Sequence, residues 1–266
     1  MASAETADRT VTGDLRIEHP ADGVRVLVLD RPQRRNALTL EVLTQLEREL
    51  VRAAGDAAVR AVILTGTDGV FSAGADFEAI AGLSETAEAE VVETLATTMM
   101  VAETLWALPQ PTIASINGPA VGAGMSLALA CDIRVGSPSM TLFPSFIRMG
   151  LLPDTGASWL LPRLIGESAA LQMLLAGRPV DADRALALGL VSELSGDALA
   201  SAVDLATTLA ARPPMAVAAT KRLVRDAVGV DLARAIEIEA VAQAAAVHGA
   251  EFTNTFAAWR TSRKAD

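Results

Sequence analysis

Cysteine is nearly absent from this chain of 266 residues, Cys131 being the only one. A lone thiol excludes a disulfide framework and a cysteine-based zinc site. Histidine is almost as scarce, and His19 and His248 are too few for a multi-histidine metal centre. Basic charge is also in deficit: 22 Lys and Arg against 32 Asp and Glu leave a net charge of −10. With no basic stripe to offset that balance, nucleic acid and anionic membrane surfaces are repelled. The opening MASAETADRT lacks the basic-then-apolar layout of a signal peptide. The longest uncharged run, Thr104 to Cys131, is long enough for a bilayer, but Pro109, Pro111, Asn117, Gly118 and Pro119 interrupt it. A cytoplasmic protein without membrane or nucleic-acid partners is expected. Nucleotide motifs are missing too. Gly122-x-Gly124 has Leu127 where the dinucleotide fingerprint needs a third glycine, and no Gly-Lys-Ser/Thr exists.

What is present is apolar. Hydrophobic residues make up 51% of the chain, and a chain this long buries about 70% of its extended surface on folding. The segments Leu15–Ile17 and Val24–Leu29 flank Pro20-Ala-Asp-Gly23 and read as a hairpin. Thr39 suits the N-cap of a helix that places Leu43, Leu46 and Leu50 on one face. Strand patterns follow at residues 60–65, 111–116 and 132–135. A helix reaching about Leu108 follows the loop Phe71-Ser-Ala-Gly-Ala-Asp76. The turn Asn117-Gly118-Pro119 leads through Val121-Gly-Ala-Gly124 into another helix. Beyond residue 150 the pattern is helical, with Ala-rich segments at 198–211, 215–227 and 231–248. Alternating strands and helices argue an α/β fold with an added helical layer.

Two glycine-rich loops each follow a strand and open a helix: Phe71-Ser-Ala-Gly74-Ala75-Asp76 and Gly118-Pro-Ala-Val-Gly122-Ala123-Gly124. Small residues let a ligand approach the backbone, and a helix start offers free N–H groups. Two such ends converging would make an oxyanion hole. Each alone also reads as close packing.

Five motifs in order make the pattern specific: Arg31-Pro-x-x-x-Asn36-Ala37-Leu38, the two loops above, Cys131-Asp132-Ile133, and Gly150-Leu-Leu-Pro-Asp154-x-Gly156. From about residue 15 to 260 the chain resembles the crotonase superfamily, the acyl-CoA enzymes that include enoyl-CoA hydratases and isomerases. The resemblance implies an α/β spiral of ββα units over residues 1–200 and a helical trimerisation region over 201–266. It also implies acyl-CoA thioester substrates, a homotrimer or dimer of trimers, and no cofactor, coenzyme A being part of the substrate.

By motif position, the backbone N–H groups of Ala75 and Ala123 would hold the thioester oxygen. The second of these positions is usually glycine in the family, so Ala123 adds a methyl group. Ala37, Ala73, Asp76 and Gly122 belong to the same CoA- and substrate-binding loops. Arg34 and Arg35, beside Arg31, crowd the loop that runs along the nucleotide, although such a loop also reads as simply solvated. Trp259 with Arg263 is the nearest match to the family's C-terminal adenine cover, with Lys221 as the alternative. Phe77, Phe143, Phe146 and Trp159 are candidate acyl-pocket walls or plain core.

The hydratases of the family use two glutamates, and this chain has Ser126 and Phe146 at those positions. Neither side chain can activate water at neutral pH. Asp154 is the remaining carboxylate; it also reads as a helix N-cap before Thr-Gly-Ala-Ser. Superfamily members without the glutamates, among them enoyl-CoA isomerases, resemble this chain in placing their working acid there. The segment from Leu142 to Leu164 looks most like isomerases acting on ring-containing CoA esters. The expectation is an isomerase with Asp154 as acid/base, with a hydratase as the alternative. Two further readings stand beside these. Ser126, Asp154 and His248 come in hydrolase order, and a non-catalytic acyl-CoA binder would also lack the glutamates.

Overall fold

The protein, seen in a computed structural model, is described over residues 9–262; Arg263 lies outside that range. In chain order the elements are β1 (Arg9–Thr12), β2 (Leu15–Ala21), β3 (Val24–Leu29), α1 (Leu40–Gly55), β4 (Ala61–Gly66), α2 (Phe77–Ser84), α3 (Glu88–Met99), α4 (Val101–Ala107), β5 (Thr112–Ile116), β6 (Pro119–Val121), α5 (Ala123–Ala130), β7 (Ile133–Gly136) and β8 (Thr141–Phe143). Then come α6 (Ala157–Ile165), α7 (Glu167–Ala176), β9 (Val180–Asp181), α8 (Ala182–Ala187), β10 (Glu193–Leu194), α9 (Ala198–Ala210), α10 (Pro214–Asp226), α11 (Leu232–Val247) and α12 (Ala250–Ser262). The larger sheet runs β1-β2-β3-β4-β5-β7-β10, antiparallel at its first two pairings and parallel from β3 onward. A smaller sheet joins β6, β8 and β9.

Strand alternation divides the core into two faces. Val24, Val26, Val28, Ile63 and Ile113 pack with α9, whose Ala198, Ala202, Ala206 and Ala210 stripe allows close approach. Leu27, Leu29, Val62, Leu64 and Ile116 point the other way, toward α1, α4, α5 and α6. Every residue of β4 is buried, as suits a parallel strand covered on both faces. Its one buried hydroxyl is satisfied, Thr65 donating to the Ser115 carbonyl at 2.8 Å.

Two expected elements differ. The single helix reaching Leu108 is three helices, interrupted at residues 85–87 and again at Met100. At the first break the Ser84 and Thr86 hydroxyls donate to the Ala81 and Gly82 carbonyls. Gly82 and these competing side chains weaken helix continuity there. The Asn117-Gly118-Pro119 turn runs straight into β6 of the second sheet, and strands of two or three residues such as β8 to β10 are too short to show periodicity.

The helical C-terminal region is present. Helix α9 lies across the 200/201 boundary and packs on the sheet, whereas no residue of α10 or α11 is buried. Among the described residues no helix is long and apolar enough to cross a membrane. Thr39 does cap α1, its side chain accepting from the Val42 N–H at 3.2 Å. Thr39→Ala is expected to lower stability by about 1 kcal/mol, seen as a lower urea midpoint at unchanged slope.

Candidate active site

The parallel strands β4 and β5 deliver two loops to their carboxyl ends, where open parallel sheets place their ligand sites. Asn36 clasps the first loop. Its amide donates to the Thr67 and Val70 carbonyls at 3.1 and 2.7 Å, and its side-chain oxygen accepts from the Arg31 N–H at 3.0 Å. Asn36 is buried with a φ of 55°, a left-handed conformation that asparagine tolerates. The Arg31-Pro-x-x-x-Asn36 motif is therefore a structural buckle, a role that spacing alone did not reveal.

The two glycine-rich loops are laced side by side. Phe71 and Ser72 N–H groups both donate to the Pro119 carbonyl at 3.1 Å, and Val121 N–H donates to the Ser72 carbonyl at 2.9 Å. Gly74, at φ 88°, sits so close that a Cβ there would stand 2.6 Å from the Val121 carbonyl oxygen and 3.7 Å from the Ala123 nitrogen. Ala75 forms a parallel bridge with Leu38. Its bonds use Gly74 O and Asp76 N, at 2.8 and 2.9 Å, so the Ala75 N–H faces the opposite side. Ala123 is the first residue of α5, where a helix N–H has no intrahelical acceptor.

Both alanines line a cavity of about 520 Å³. Its walls are apolar: Leu38, Leu40 and Leu43 on one side, Ile80 and Leu83 of α2, and Val91, Leu95 and Met99 of α3. Leu151, Leu152, Pro153, Asp154 and Thr155 complete it. The leucine and methionine walls went unread in the sequence, because half-buried apolar residues on a helix look like the margin of a core stripe.

Asp154 is not a helix cap. Thr155 and Gly156 follow it with φ of 49° and 85°, and Gly156 occupies the N-cap of α6 with no side-chain bond. The left-handed pair detaches the carboxyl group from the helix start. A β-branched residue at positive φ is strained, so this turn holds Asp154 at a local cost. The Asp154 Oδ1 is buried without a partner. Burial pushes its pKa up, against a hydrogen bond with Thr155 that acts the other way. Asp76, the other acid on the cavity wall, is committed: it caps α2 through the Glu78 N–H at 3.0 Å and accepts from Arg31 at 3.2 Å. Burial would raise its pKa, but those two partners outweigh it and hold the carboxyl below the usual range.

The remaining candidates lie around or away from this cavity. Gly122, at φ 50°, opens α5, with Phe146 in the core behind it. Ser126 is fully buried, its hydroxyl 3.0 Å from the Asp154 carbonyl and 3.2 Å from that of Gly122. His248 sits exposed at the C-cap of α11 and does not line the cavity. A Ser126/His248 couple therefore has no geometric basis. Ala37 and Ala73 belong to the loops beside the notch, Ala73 N–H donating to the Arg35 carbonyl at 2.9 Å. Arg35 is exposed, and Arg34 pairs with exposed Glu78 at 3.2 Å. Phe77 is 62% exposed at the start of α2. Phe143 lies in β8 beneath the Arg148 guanidinium. Trp159 lines a neighbouring hollow rather than this cavity. Lys221 is engaged by Asp132 at 2.7 Å and the Gln110 carbonyl at 3.0 Å. Trp259 stacks on Phe256 in α12, the ring centroids 5.6 Å apart.

Two unpaired N–H groups beside a carboxyl group with one oxygen unpaired can hold an oxyanion and move a proton. No cluster of three or more metal-ligating side chains occurs among the described residues. Known proteins agree with this architecture. A family model described as enoyl-CoA hydratase/isomerase matches residues 20–266. A probable enoyl-CoA hydratase of Mycobacterium tuberculosis is 39% identical over 203 residues, 76% of this chain and 78% of the relative. A putative enoyl-CoA hydratase/isomerase of Bacillus subtilis is 37% identical over 217 residues, 80% and 82% of the two chains. The crystal structure of a putative enoyl-CoA hydratase from Streptomyces coelicolor superimposes with a TM-score of 0.89 at 36% identity, over 97% of this chain and 96% of that one. An enoyl-CoA hydratase from Bacillus anthracis gives 0.88 at 30% identity, over 94% and 97%. With its fold and its whole length from residue 20 onward matched, the chain belongs to the enoyl-CoA hydratase/isomerase family, the crotonase superfamily.

Proposed function

We propose that the protein is an enoyl-CoA isomerase that moves a carbon–carbon double bond along the acyl chain of a CoA thioester. The observation that supports this most strongly is that Asp154 is the one carboxyl group lining the cavity with a buried oxygen left unpaired. Water addition needs one group to activate water and another to protonate carbon. Ser126 is tied to backbone carbonyls and Phe146 lies in the core, so only Asp154 is left to move protons. One group is enough for a 1,3-shift.

In the forward direction the Asp154 carboxylate removes a proton from C2 of a 3-enoyl thioester. The electron pair delocalises onto the thioester oxygen, which receives hydrogen bonds from the Ala75 and Ala123 N–H groups. Each such donor contributes about 2.7–4 kcal/mol to the enolate-like transition state. The protonated Asp154 then delivers its proton to C4, leaving the double bond between C2 and C3. No water is consumed and no cofactor enters. A carboxyl whose pKa is lifted by burial is better matched to both halves of this transfer than an ordinary aspartate near 3.9.

Assembly follows the same reading. The α10–α12 segment leaves Val224, Leu232 and Val241 between 68 and 76% exposed, and a second copy of the chain is the proposed cover, in a trimer or a dimer of trimers. Light scattering should then give three or six times the 27.6 kDa chain mass. Aspartate at those three positions should release monomer; a wild-type monomer would overturn the proposal.

The activity is tested by supplying 3-enoyl- and 2-enoyl-CoA separately. Conversion of the first to 2-enoyl product without water uptake is expected, and rapid 3-hydroxyacyl formation from the second would sink the reading. Asp154→Asn should lower kcat by about 10²–10⁴, and wild-type kcat/KM should rise with pH through a midpoint above the ordinary aspartate value. Stability should move oppositely to activity. A carboxyl with a raised folded-state pKa favours folding fully below its unfolded pKa, and that contribution is lost as pH rises through the folded value. Asp154→Asn is therefore expected to melt higher than wild type at neutral pH, with the gap closing as acid protonates the wild-type carboxyl.

A further inference from the structure

We infer that Met99 is a gate between the reaction cavity and a second hollow, and that the acyl group is a medium or long aliphatic chain passing through it. The inference rests on the acyl-CoA reading above and adds where the chain's tail goes.

Beside the reaction cavity lies a partly open hollow of about 280 Å³, bounded by Met99, Gly156, Leu160, Trp106 and Trp159, with Glu103 beside them. Met99 lines both spaces, and Gly156 directly follows Asp154 and Thr155 of the first. The two spaces therefore meet at the C-terminal end of α3 and the start of α6, next to the proton-moving group.

The walls of the hollow are apolar and fixed. Trp106 and Trp159 meet edge to face, their centroids 5.1 Å apart at 89°. The Arg163 guanidinium stacks on Trp159 and that of Arg225 on Trp106, each at 3.7 Å. Arg225 is itself pinned to Asp132 at 2.5 Å. Four side chains from α4, α6 and α10 thus form one clamped ladder. The partition is soft by contrast. Met99 is half-buried, ends α3 beside the break at Met100, and carries an unbranched thioether side chain that turns easily.

The cavity-facing stripe also lacks an occupant. Ile80, Leu83, Val91, Leu95 and Met99 are only half-buried although all face the cavity, and Trp159 remains 44% exposed. Water against such surface is displaced favourably by a hydrocarbon chain. A four-carbon acyl group has no atoms left for the hollow once its C2 to C4 carbons are at Asp154. Exposed Glu103 on the same hollow disfavours an anionic chain end.

The experiment is calorimetric titration of wild type, Met99→Trp and Met99→Ala with butanoyl-, octanoyl- and dodecanoyl-CoA, saturated thioesters that cannot isomerise. Wild-type affinity should climb with chain length, by up to roughly fourfold per methylene buried. Met99→Trp should lose the gain between octanoyl and dodecanoyl, read against its own butanoyl-CoA affinity; Met99→Ala, which only removes atoms, should steepen it. A wild-type affinity that does not change with length, or an unchanged length dependence in both variants, overturns the gate. Were Met99→Trp to lose butanoyl-CoA as well, Met99→Ala alone decides. The isomerase reading fails separately, if bound 3-enoyl-CoA is not converted to 2-enoyl-CoA. Length-dependent binding would then still support the gate.

Discussion

The site depends on a single piece of backbone geometry, the lacing of two glycine-rich loops across the ends of β4 and β5. Because Pro119 accepts from both Phe71 and Ser72, and Val121 donates back to Ser72, the loops run as a short parallel pair. In such a pair a residue's own N–H alternates sides. Ala75 is bridged to Leu38 through its neighbours, so its N–H is left over, and Ala123 at the head of α5 has one left over as well. Unpaired N–H groups beside an apolar cavity are costly in a fold that satisfies its buried polar groups. Their presence on one cavity wall is what a site for developing negative charge requires. Gly74 and Gly124 make the lacing possible: a Cβ at either would meet Val121 or Ser72 at 2.6 Å.

Asp154 carries the second cost. Its Oδ1 is buried without a donor, and the Thr155–Gly156 pair that presents it is left-handed. A carboxyl arranged for stability would have turned back to cap α6, a position that Gly156 fills without a side chain. Both departures from local optimum lie on the same cavity, and neither improves packing. On the proposed reading, stability is given up where proton transfer and charge stabilisation need unsatisfied groups.

Much of this was legible in residue order. The β2–β3 hairpin, the Thr39 cap, the buried β4 and the two loops each carry a strong local signal in glycine placement, capping chemistry or apolar runs. The family resemblance and the α/β fold follow from five motifs in sequence, and the structural matches bear them out. Other features depend on long-range register. Asn36 looks like one more polar loop residue until its amide is seen holding Thr67 and Val70, more than thirty positions away. The cavity roof is equally silent, since Val91, Leu95 and Met99 differ from core residues only in facing empty space. Asp154 before Thr-Gly-Ala-Ser carries a cap signal that the left-handed Thr155 overrides, a conformation residue types alone do not announce.

The division of labour in the site explains how a family can change its reaction while keeping its fold. In the proposed reaction, charge stabilisation falls to main-chain N–H groups fixed by strand and helix geometry, which substitutions at Ala75 or Ala123 other than proline leave in place. Ala123 adds a methyl group to its position but leaves the N–H in place at the head of α5. Proton movement, on the same reading, falls to separate side chains on α5, the turn after β8 and the turn before α6. Here α5 supplies a hydroxyl bonded to carbonyls and the turn after β8 supplies a phenyl ring in the core, so that only the third position retains a carboxyl. On the proposed reading, chemistry that needs two carboxylates is thereby separated from chemistry that needs one, with the pair of N–H groups unchanged beneath both. The same logic applies to the end of the cavity proposed for the acyl chain. There the walls are leucine, methionine and tryptophan on α2, α3, α4 and α6, whose side chains can vary in size without disturbing the lacing on which the notch depends.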